Sequence, residues 1–399
     1  MRLLHVSDWH LGRNHGSTSR REDLADVLEQ TVDVARSFKP DLIVHTGDLF
    51  DGPRPSVDDL RLGCETLRRL SETAPVAVLA GNHDSPQLLS FLDGLVVPGR
   101  LRFADTVRRP EDGGILDYEI AGGQRVRLAP LPFVSAHRMV QAFENPGAWT
   151  ASYADRMRDI INILAAGLAT GAQPDRDVHV FAAHVHVTGA QVTQSERPYT
   201  VSDGYAAQAA ALPPVAYAAF GHIHRAQILP QASVTGRYAG SPIPLDFGEE
   251  HDKKVCLLVE ADPGRPAVVT EHEYAIRRPL WRFAGTLADL RLRAADVRTS
   301  LCQVVIHTQE PATELAAQVA ELLPDAVLLS VDELCAARQA DALRLDPDAP
   351  PEADPPVETL FDEFLAERGV NRSTVEDVST LFAALREGAE LPDLVEESV

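Results

Sequence analysis

The chain has 399 residues, 45% of them hydrophobic, which is enough for two or three domains whose cores need no covalent staples. Its four cysteines, Cys64, Cys256, Cys302 and Cys335, are scattered without a C-x-x-C pair, which argues against a disulfide framework or a thiolate zinc site and fits a reducing cytoplasm. The formal net charge of −22 argues against a stand-alone nucleic-acid binder held by bulk positive charge, so such a role needs metal ions in an acidic site or a partner that carries the basic surface.

The opening MRLLHVSDWH has no basic-then-apolar leader. No stretch approaches the ~20 uninterrupted apolar residues that span a bilayer, so a soluble, cytoplasmic protein with no membrane contact is expected. Short aliphatic runs at 3–6, 42–44, 76–79, 178–182 and 215–220 each stop at a polar cluster, the pattern of buried strands bounded by turns. Between the first two, Leu24, Val27, Leu28, Thr31, Val32 and Ala35 fall on one helical face. A second helix is expected over 57–70, and the alternation predicts an α/β sheet. Residues 234–260 read as further strands joined by the loop GSPIPLDFGEE.

Around residue 270 the pattern changes. Strand, helix, strand, helix and strand are expected at 273–276, 286–292, 301–307, 313–323 and 326–331. The division is therefore a large domain over 1–265 and a small α/β domain over 270–340. The stretch DALRLDPDAPPEADPP, at 341–356, reads as a solvated linker. A helical tail over 357–399 follows. Val357, Leu360, Phe361, Phe364 and Leu365 make one apolar stripe, and Val378, Leu381, Phe382 and Leu385 a second. Ser373 and Glu376 have the spacing of a capping box. Two short amphipathic helices need a surface to dock on.

The chemistry sits where the strands end. Asp8-Trp9-His10 follows the first, Gly47-Asp48-Leu49-Phe50-Asp51 the second and Gly81-Asn82-His83-Asp84 the third. The fourth ends in His184-Val185-His186 and the fifth in Gly221-His222-Ile223-His224. Ligands of open α/β sheets bind outside the carboxyl ends of the strands. Carboxylate, imidazole and amide oxygen without thiolate suit Mn²⁺, Fe or Zn²⁺, and the donors exceed what one ion needs, so two ions are expected. Alternation along an extended segment would point Asp8 and His10 the same way. Glycines before Asp48, Asn82 and His222 would let the backbone turn tightly. His184 is preferred over His186 as a ligand because it stands at the strand end. Asp84 reads as hydrogen-bonding support, His5 and His45 as satisfied core histidines, and His15 as a solvated loop residue. Arg13, Arg20, Arg21, Arg54 and Arg225 are the basic residues near the site, candidates for phosphate contacts although a solvated face is the commoner fate.

D-x-H, G-D-x-x-D, G-N-H-D, a histidine and G-H-x-H, in that order, resemble the calcineurin-like metallophosphoesterases. LLHVSDWHLG, GDLFD, GNHDS, GHIHRAQI and GSPIPLDFGEE resemble the SbcD branch of nucleases within them, over about residues 1–260. The resemblance implies a β-sandwich flanked by helices, with the small domain as a cap and C-terminal helices beyond it. It implies one ion held by Asp8, His10, Asp48 and His224, and a second by Asp48, Asn82, His184 and His222, with Asp48 as the bridge. His83 would stand beside the scissile phosphate, oriented by Asp51 on the logic of catalytic triads. The implied activity is an Mn²⁺-dependent 3′→5′ exonuclease on duplex ends and an endonuclease at hairpins or single strands. It would serve DNA repair, replication and recombination at the nucleoid. The implied partners are DNA and an SbcC-like SMC-family ATPase bound by the tail, in a heterotetramer built on a homodimer. A metallophosphatase or phosphodiesterase with a non-DNA substrate is the alternative, since a fold does not fix a substrate. Gly52-Pro53-Arg54 after Asp51 departs from the Arg-Gly of phosphoprotein phosphatases.

Overall fold

The computed structural model describes residues 1–135, 153–193, 195–196 and 206–338, with 361, 365, 378 and 382 of the tail. The chain divides into two compact units, Met1–Thr308 with Ala312–Leu334, and Gln309–Pro311 with Cys335–Val399. In the first unit the order begins β1 (Arg2–Val6), a ribbon of β2 (Asn14–His15) and β3 (Thr18–Ser19), α1 (Arg21–Phe38), β4 (Leu42–His45), α2 (Val57–Thr73), β5 (Val76–Leu79), α3 (Pro86–Asp93) and β6 (Leu101–Ala104). It continues with β7 (Leu116–Glu119), β8 (Arg125–Leu131), α4 (Tyr153–Ala169), β9 (Asp177–His184), β10 (Tyr217–Gly221), β11 (Gln227–Ile228), β12 (Gly236–Tyr238), β13 (Val255–Glu260) and β14 (Val268–Glu273). Last come β15 (Leu280–Gly285), α5 (Leu287–Val297), β16 (Leu301–Thr308), α6 (Leu315–Leu322) and β17 (Val327–Cys335), whose final residue belongs to the second unit.

Two six-stranded sheets form the body, in the orders β14-β13-β1-β4-β5-β6 and β11-β12-β10-β9-β8-β7. β1, β4, β5 and β6 run parallel, with Leu3 opposite Leu42 and Ile43 opposite Val76. β8, β9, β10 and β12 run parallel in the other sheet. Each central strand is buried on both faces, which is why these runs read as continuously aliphatic. In β1, Leu3 faces the inter-sheet core with Leu42, Leu79, Val180 and Tyr217. Leu4 and Val6 face outward, against Leu24 and Leu28 of α1. Met157, Ile160, Ile161 and Leu164 of α4 cover the outer face of the second sheet, with Phe181 and Phe220. The result is the helix-flanked sandwich expected, with parallel strands of both sheets ending on one side.

The strand expected at 273–276 is a correction. Residues 268–273 pair with β13 in the large sheet instead. The chain from 274 to 279 is then a strap on α1. Tyr274 hydroxyl meets Thr31 at 2.7 Å, and Gln30 exchanges two 2.9 Å bonds with the main chain of Ala275. Arg278 binds Asp23 at 2.8 Å. β15, β16 and β17 form a separate three-stranded sheet with its own core of Phe283, Leu290, Val304, Ile306 and Val319. Thr286 caps α5, its hydroxyl accepting from Asp289 N while the Asp289 carboxylate accepts from Thr286 N. Phe361 stacks on Phe382 with centroids 4.2 Å apart. The linker over 341–356, the Ser373 cap and most of both tail stripes lie outside the described residues.

Candidate metal centre

β1, β4 and β5 of one sheet and β9 and β10 of the other end at a common pocket. The loops after β1 and β4 remain paired beyond the strands: Asp8 N donates to Gly47 O at 3.0 Å, His10 N to Asp48 O at 3.1 Å and Leu11 N to Leu49 O at 3.1 Å. That ladder sets Asp8 and His10 alongside Asp48. Their common aim does not come from an extended segment. Asp8 has φ 51° and His10 φ 46°, left-handed on either side of wholly buried Trp9. Asp48 (φ 52°) and His222 (φ 94°) are left-handed too. They make half of the eight non-glycine positive-φ residues among those described. Such conformers cost about 1–3 kcal/mol each and cluster where geometry serves function.

Two glycines show how tight the floor is. Gly47 has φ +104°, and a Cβ there would lie 2.3 Å from His184 Nδ1. Gly81 needs space rather than an unusual φ, because a Cβ would stand 2.0 Å from Asp48 Oδ1.

Donor atoms of Asp8, His10, Asp48 and His224 lie within 4.8 Å of one another, as do those of Asp48, His184 and His222, and those of His10, Asp51 and His83. Asn82 Oδ1 joins the second group, 2.9 Å from His184 Nε2 and 2.7 Å from His222 Nδ1. Asp48 is common to the first two groups, and its Oδ2 stands 3.5 Å from His10 Nε2 and 3.4 Å from His184 Nε2. Asp8, His10, Asp48, His184, His222 and His224 are all 2% exposed or less.

The hydrogen bonds decide which ring atoms are free to ligate. A carbonyl only accepts, so His184 Nδ1 donates to Thr46 O at 2.7 Å, and Nε2 is the ring atom that faces the Asn82 and Asp48 oxygens. His10 Nδ1 meets the Asp51 carboxylate at 3.2 Å, so its Nε2 lone pair faces His224 Nε2 at 3.0 Å. Ring nitrogens and carboxylate oxygens this close in a buried pocket need positive charge between them, which protons supply when no metal is bound and divalent ions can supply in their place. The residues therefore fit a pair of divalent ions, with the oxygen and imidazole donors that Mn²⁺, Fe or Zn²⁺ accept.

Electrostatics agree. Burial works against ionisation of Asp48, yet the charges of His184, His83 and His10 and the His184 hydrogen bond hold its carboxyl well below the usual range. Burial likewise opposes charge on His184, but Asp48 and Asp8 push it up to about 9. Burial raises Asp8. Burial, then the Asp48 charge, lifts Asp84 to about 6. The Asp84 carboxylate accepts from Leu49 N, Phe50 N and Gly81 N at 3.2, 3.0 and 2.9 Å, the support read from sequence.

Asp51 reaches His83 through its main chain, not its side chain. Its carboxylate bonds His10, and its main-chain carbonyl accepts from His83 Nδ1 at 2.8 Å. The bond polarity of a carbonyl settles that tautomer as firmly as a carboxylate would. Of the candidate arginines, only Arg20 departs from a partly or fully solvated setting. Arg20 is wholly buried, tying Asp23, Pro244 O and Arg278 O together. Arg21 pairs with Asp58 and Asp59, Arg225 with Asp252, and Arg13 reaches Leu245 O. Arg54 is exposed. His5 is satisfied by Tyr217 and Thr46, at 2.9 and 3.0 Å. His45 is buried against Trp9 and accepts from Gly47 N at 3.3 Å. His186 is buried. His15 is not solvated but half-buried in β2 beside Phe247.

Sequence reasoning missed an outer ring. Phe133 stacks on His222 with centroids 6.0 Å apart. Ser195, Glu196, Glu249 and Lys254 surround His224. Only Glu249 carried a signal, lying inside the GSPIPLDFGEE stretch.

The family model for calcineurin-like phosphoesterases matches residues 1–226. Among curated proteins, the SbcD subunit of the nuclease SbcCD from Bacillus subtilis (strain 168) is 31% identical over 298 residues, covering 73% of this chain and 74% of that protein. The SbcD subunit of the same nuclease from Escherichia coli (strain K12) is 29% identical over 305 residues, covering 73% and 72%. A solved dimetal phosphatase from Danio rerio is 13% identical with a TM-score of 0.39, over 68% of this chain and 98% of that one, too distant to carry an argument. Among the described residues, no helix is long and apolar enough to cross a membrane. With more than half its length matched by the family model and its sequence aligned across most of both relatives, the chain belongs to the calcineurin-like phosphoesterase family, in the branch of the SbcD proteins.

Proposed function

We propose that the chain is the nuclease subunit of a DNA-processing complex, cutting phosphodiesters with two divalent ions. The observation that carries this reading is the pair of donor sets sharing Asp48. Asp8, His10, Asp48 and His224 would hold one ion, and Asp48, Asn82, His184 and His222 the other. When bound, a pair of such ions acidifies water for attack and neutralises charge on the phosphate. The chain's own part is orientation. Thr46 O fixes His184, Asp51 carboxylate fixes His10, and Asp51 O leaves His83 Nε2 as the atom that meets the substrate. A protonated His83 Nε2 would donate to the departing oxygen.

The relatives' name, a subunit of the nuclease SbcCD, supports a nuclease working in a complex with an SbcC-type subunit; DNA as substrate and an SMC-family ATPase as that subunit are part of this proposal. The specific activities in this proposal are the Mn²⁺-dependent 3′→5′ exonuclease on duplex ends and the endonuclease at hairpins or single strands. The three-stranded sheet over 280–335 acts as a cap, the tail docks on the ATPase, and two copies of this chain pair. Phe91, Leu95 and Val97, 63%, 67% and 69% exposed, favour a protein contact around the end of α3. The nucleoid is the place of action. In the test, the full chain, alone and with its ATPase, is given Mn²⁺ and end-labelled duplex and hairpin DNA. Shortening from 3′ ends and opened hairpins are expected. Hydrolysis of a small phosphomonoester with DNA untouched in both samples would overturn the reading in favour of a phosphatase.

A further inference from the structure

Behind His224 lies a buried ion pair that the reaction scheme leaves idle. Glu249 ends a short helical turn, Phe247–Glu249, and is 0% exposed; Lys254 is 3% exposed. Lys254 Nζ donates to Glu249 Oε2 at 2.6 Å, and to His224 O and Ser241 Oγ, each at 3.0 Å. Leu245 N reaches the same carboxylate oxygen at 3.1 Å. The other oxygen, Oε1, accepts from Ser195 Oγ at 2.5 Å and Thr193 Oγ at 3.0 Å, and stands 3.7 Å from His224 Nδ1. Ser195 Oγ also meets His224 Nδ1 directly. Glu196 accepts from His224 N at 3.0 Å, so main chain and ring are both held.

A buried ion pair on its own is weak evidence of any role, since an apolar pair of similar volume often serves as well. This one is aimed. Its second oxygen, Oε1, and the serine between converge on the ring nitrogen opposite the one that faces His10. A negative charge behind an imidazole fixes its tautomer and raises the basicity of the other nitrogen. We infer that Glu249, acting through Ser195, is the positioning residue that presents His224 Nε2 as a metal ligand, with Lys254 compensating the buried charge. The inference rests on the dinuclear reading given above.

The test uses the full chain and Mn²⁺ alone, with isothermal titration for affinities and electron paramagnetic resonance for spin coupling between the ions. Wild type is expected to bind two ions as a coupled pair. Glu249→Gln should weaken one ion by about 10- to 100-fold, leave the other unchanged and abolish the coupled signal at low Mn²⁺. Ser195 is only half-buried, so Ser195→Ala leaves the Glu249–Lys254 pair in place and decides the matter should Glu249→Gln fail to fold. It should weaken the same ion. Two ions bound with unchanged affinity in the folded variants, or an equal loss at both sites, overturns the role of Glu249 and leaves the dinuclear reading standing. Wild type binding no Mn²⁺ overturns both.

Discussion

The main-chain carbonyl of Asp51 accepts from the His83 imidazole at 2.8 Å, while the carboxylate of the same residue turns the other way, to His10 at 3.2 Å. One residue thus orients two rings by two different atoms, and substitution separates the effects. His83→Ala should keep both metals and lose cleavage by about 10²- to 10⁴-fold. Asp51→Ala retains the carbonyl, so it should weaken metal binding about 10- to 100-fold through His10 while cleavage at saturating Mn²⁺ largely recovers. Metal analysis of the purified variants, with cleavage rates over an Mn²⁺ series, checks both. Lost metal in His83→Ala would remove the role given to it.

Gly81 leaves no room for a methyl group. Gly81→Ala would put Cβ 2.0 Å from Asp48 Oδ1 and 2.3 Å from Asp48 N, so Asp48 must move. Loss of metal binding is expected. Gly52→Ala is the control, since a Cβ there meets nothing within 4 Å and metal content should not change. Normal Mn²⁺ stoichiometry in Gly81→Ala would mean that the floor of the pocket yields more easily than its packing implies.

Asp84 ties three main-chain N–H groups of two separate loops. In Asp84→Ala they lose their acceptor in a buried setting, at a cost of about 1–3 kcal/mol for a group left unsatisfied. A drop of about 2–4 kcal/mol in urea unfolding is expected. Unchanged stability would show that these groups find water or other partners.

Burial lowers His5 from 6.5 to about 3, with a Phe220 main-chain bond opposing. The unfolded chain therefore binds the proton first as pH falls. The stability from keeping His5 neutral is complete above about 6.5. It is lost progressively down to about pH 3, at about 1.4 kcal/mol per pH unit. His5→Gln keeps a polar side chain beside Tyr217 and Thr46 and removes this dependence. Unfolding midpoints from pH 7 to pH 4 should converge for the two proteins as pH falls. Parallel curves would show that His5 protonates in the folded state.

The body of the fold is legible because both faces of its central strands are buried, so 3–6, 42–44 and 76–79 stand out as aliphatic blocks. The residues that meet in the pocket are legible for a related reason: each lies within a few positions after such a block, His184, His222 and His224 after those at 178–182 and 215–220. β7 and β8 escape notice because charge interrupts them. Arg125 and Arg127 alternate along β8 and pair with Asp177 and Asp117. The left-handed turns at Asp8 and His10 have no signature, since neither is glycine. Ser195 and Glu249 reach His224 from distant loops, and no local spacing announces such a meeting. Residues 273–276 carry strand-forming side chains, but Gln30, Thr31 and Asp23 of α1 claim the chain from 274 onward.

That strap bears on any motion of the three-stranded sheet. Tyr274, Ala275 and Arg278 are each fastened to α1, and Arg20 clasps Arg278 O from beneath. A swing of the sheet has no slack to draw on before residue 278, and beyond Pro279 it must also release the Arg282 guanidinium, which donates to Phe247 O at 2.6 Å. Force applied to the sheet by a bound partner would accordingly travel into α1 as a lever load instead of dissipating in a loose tether.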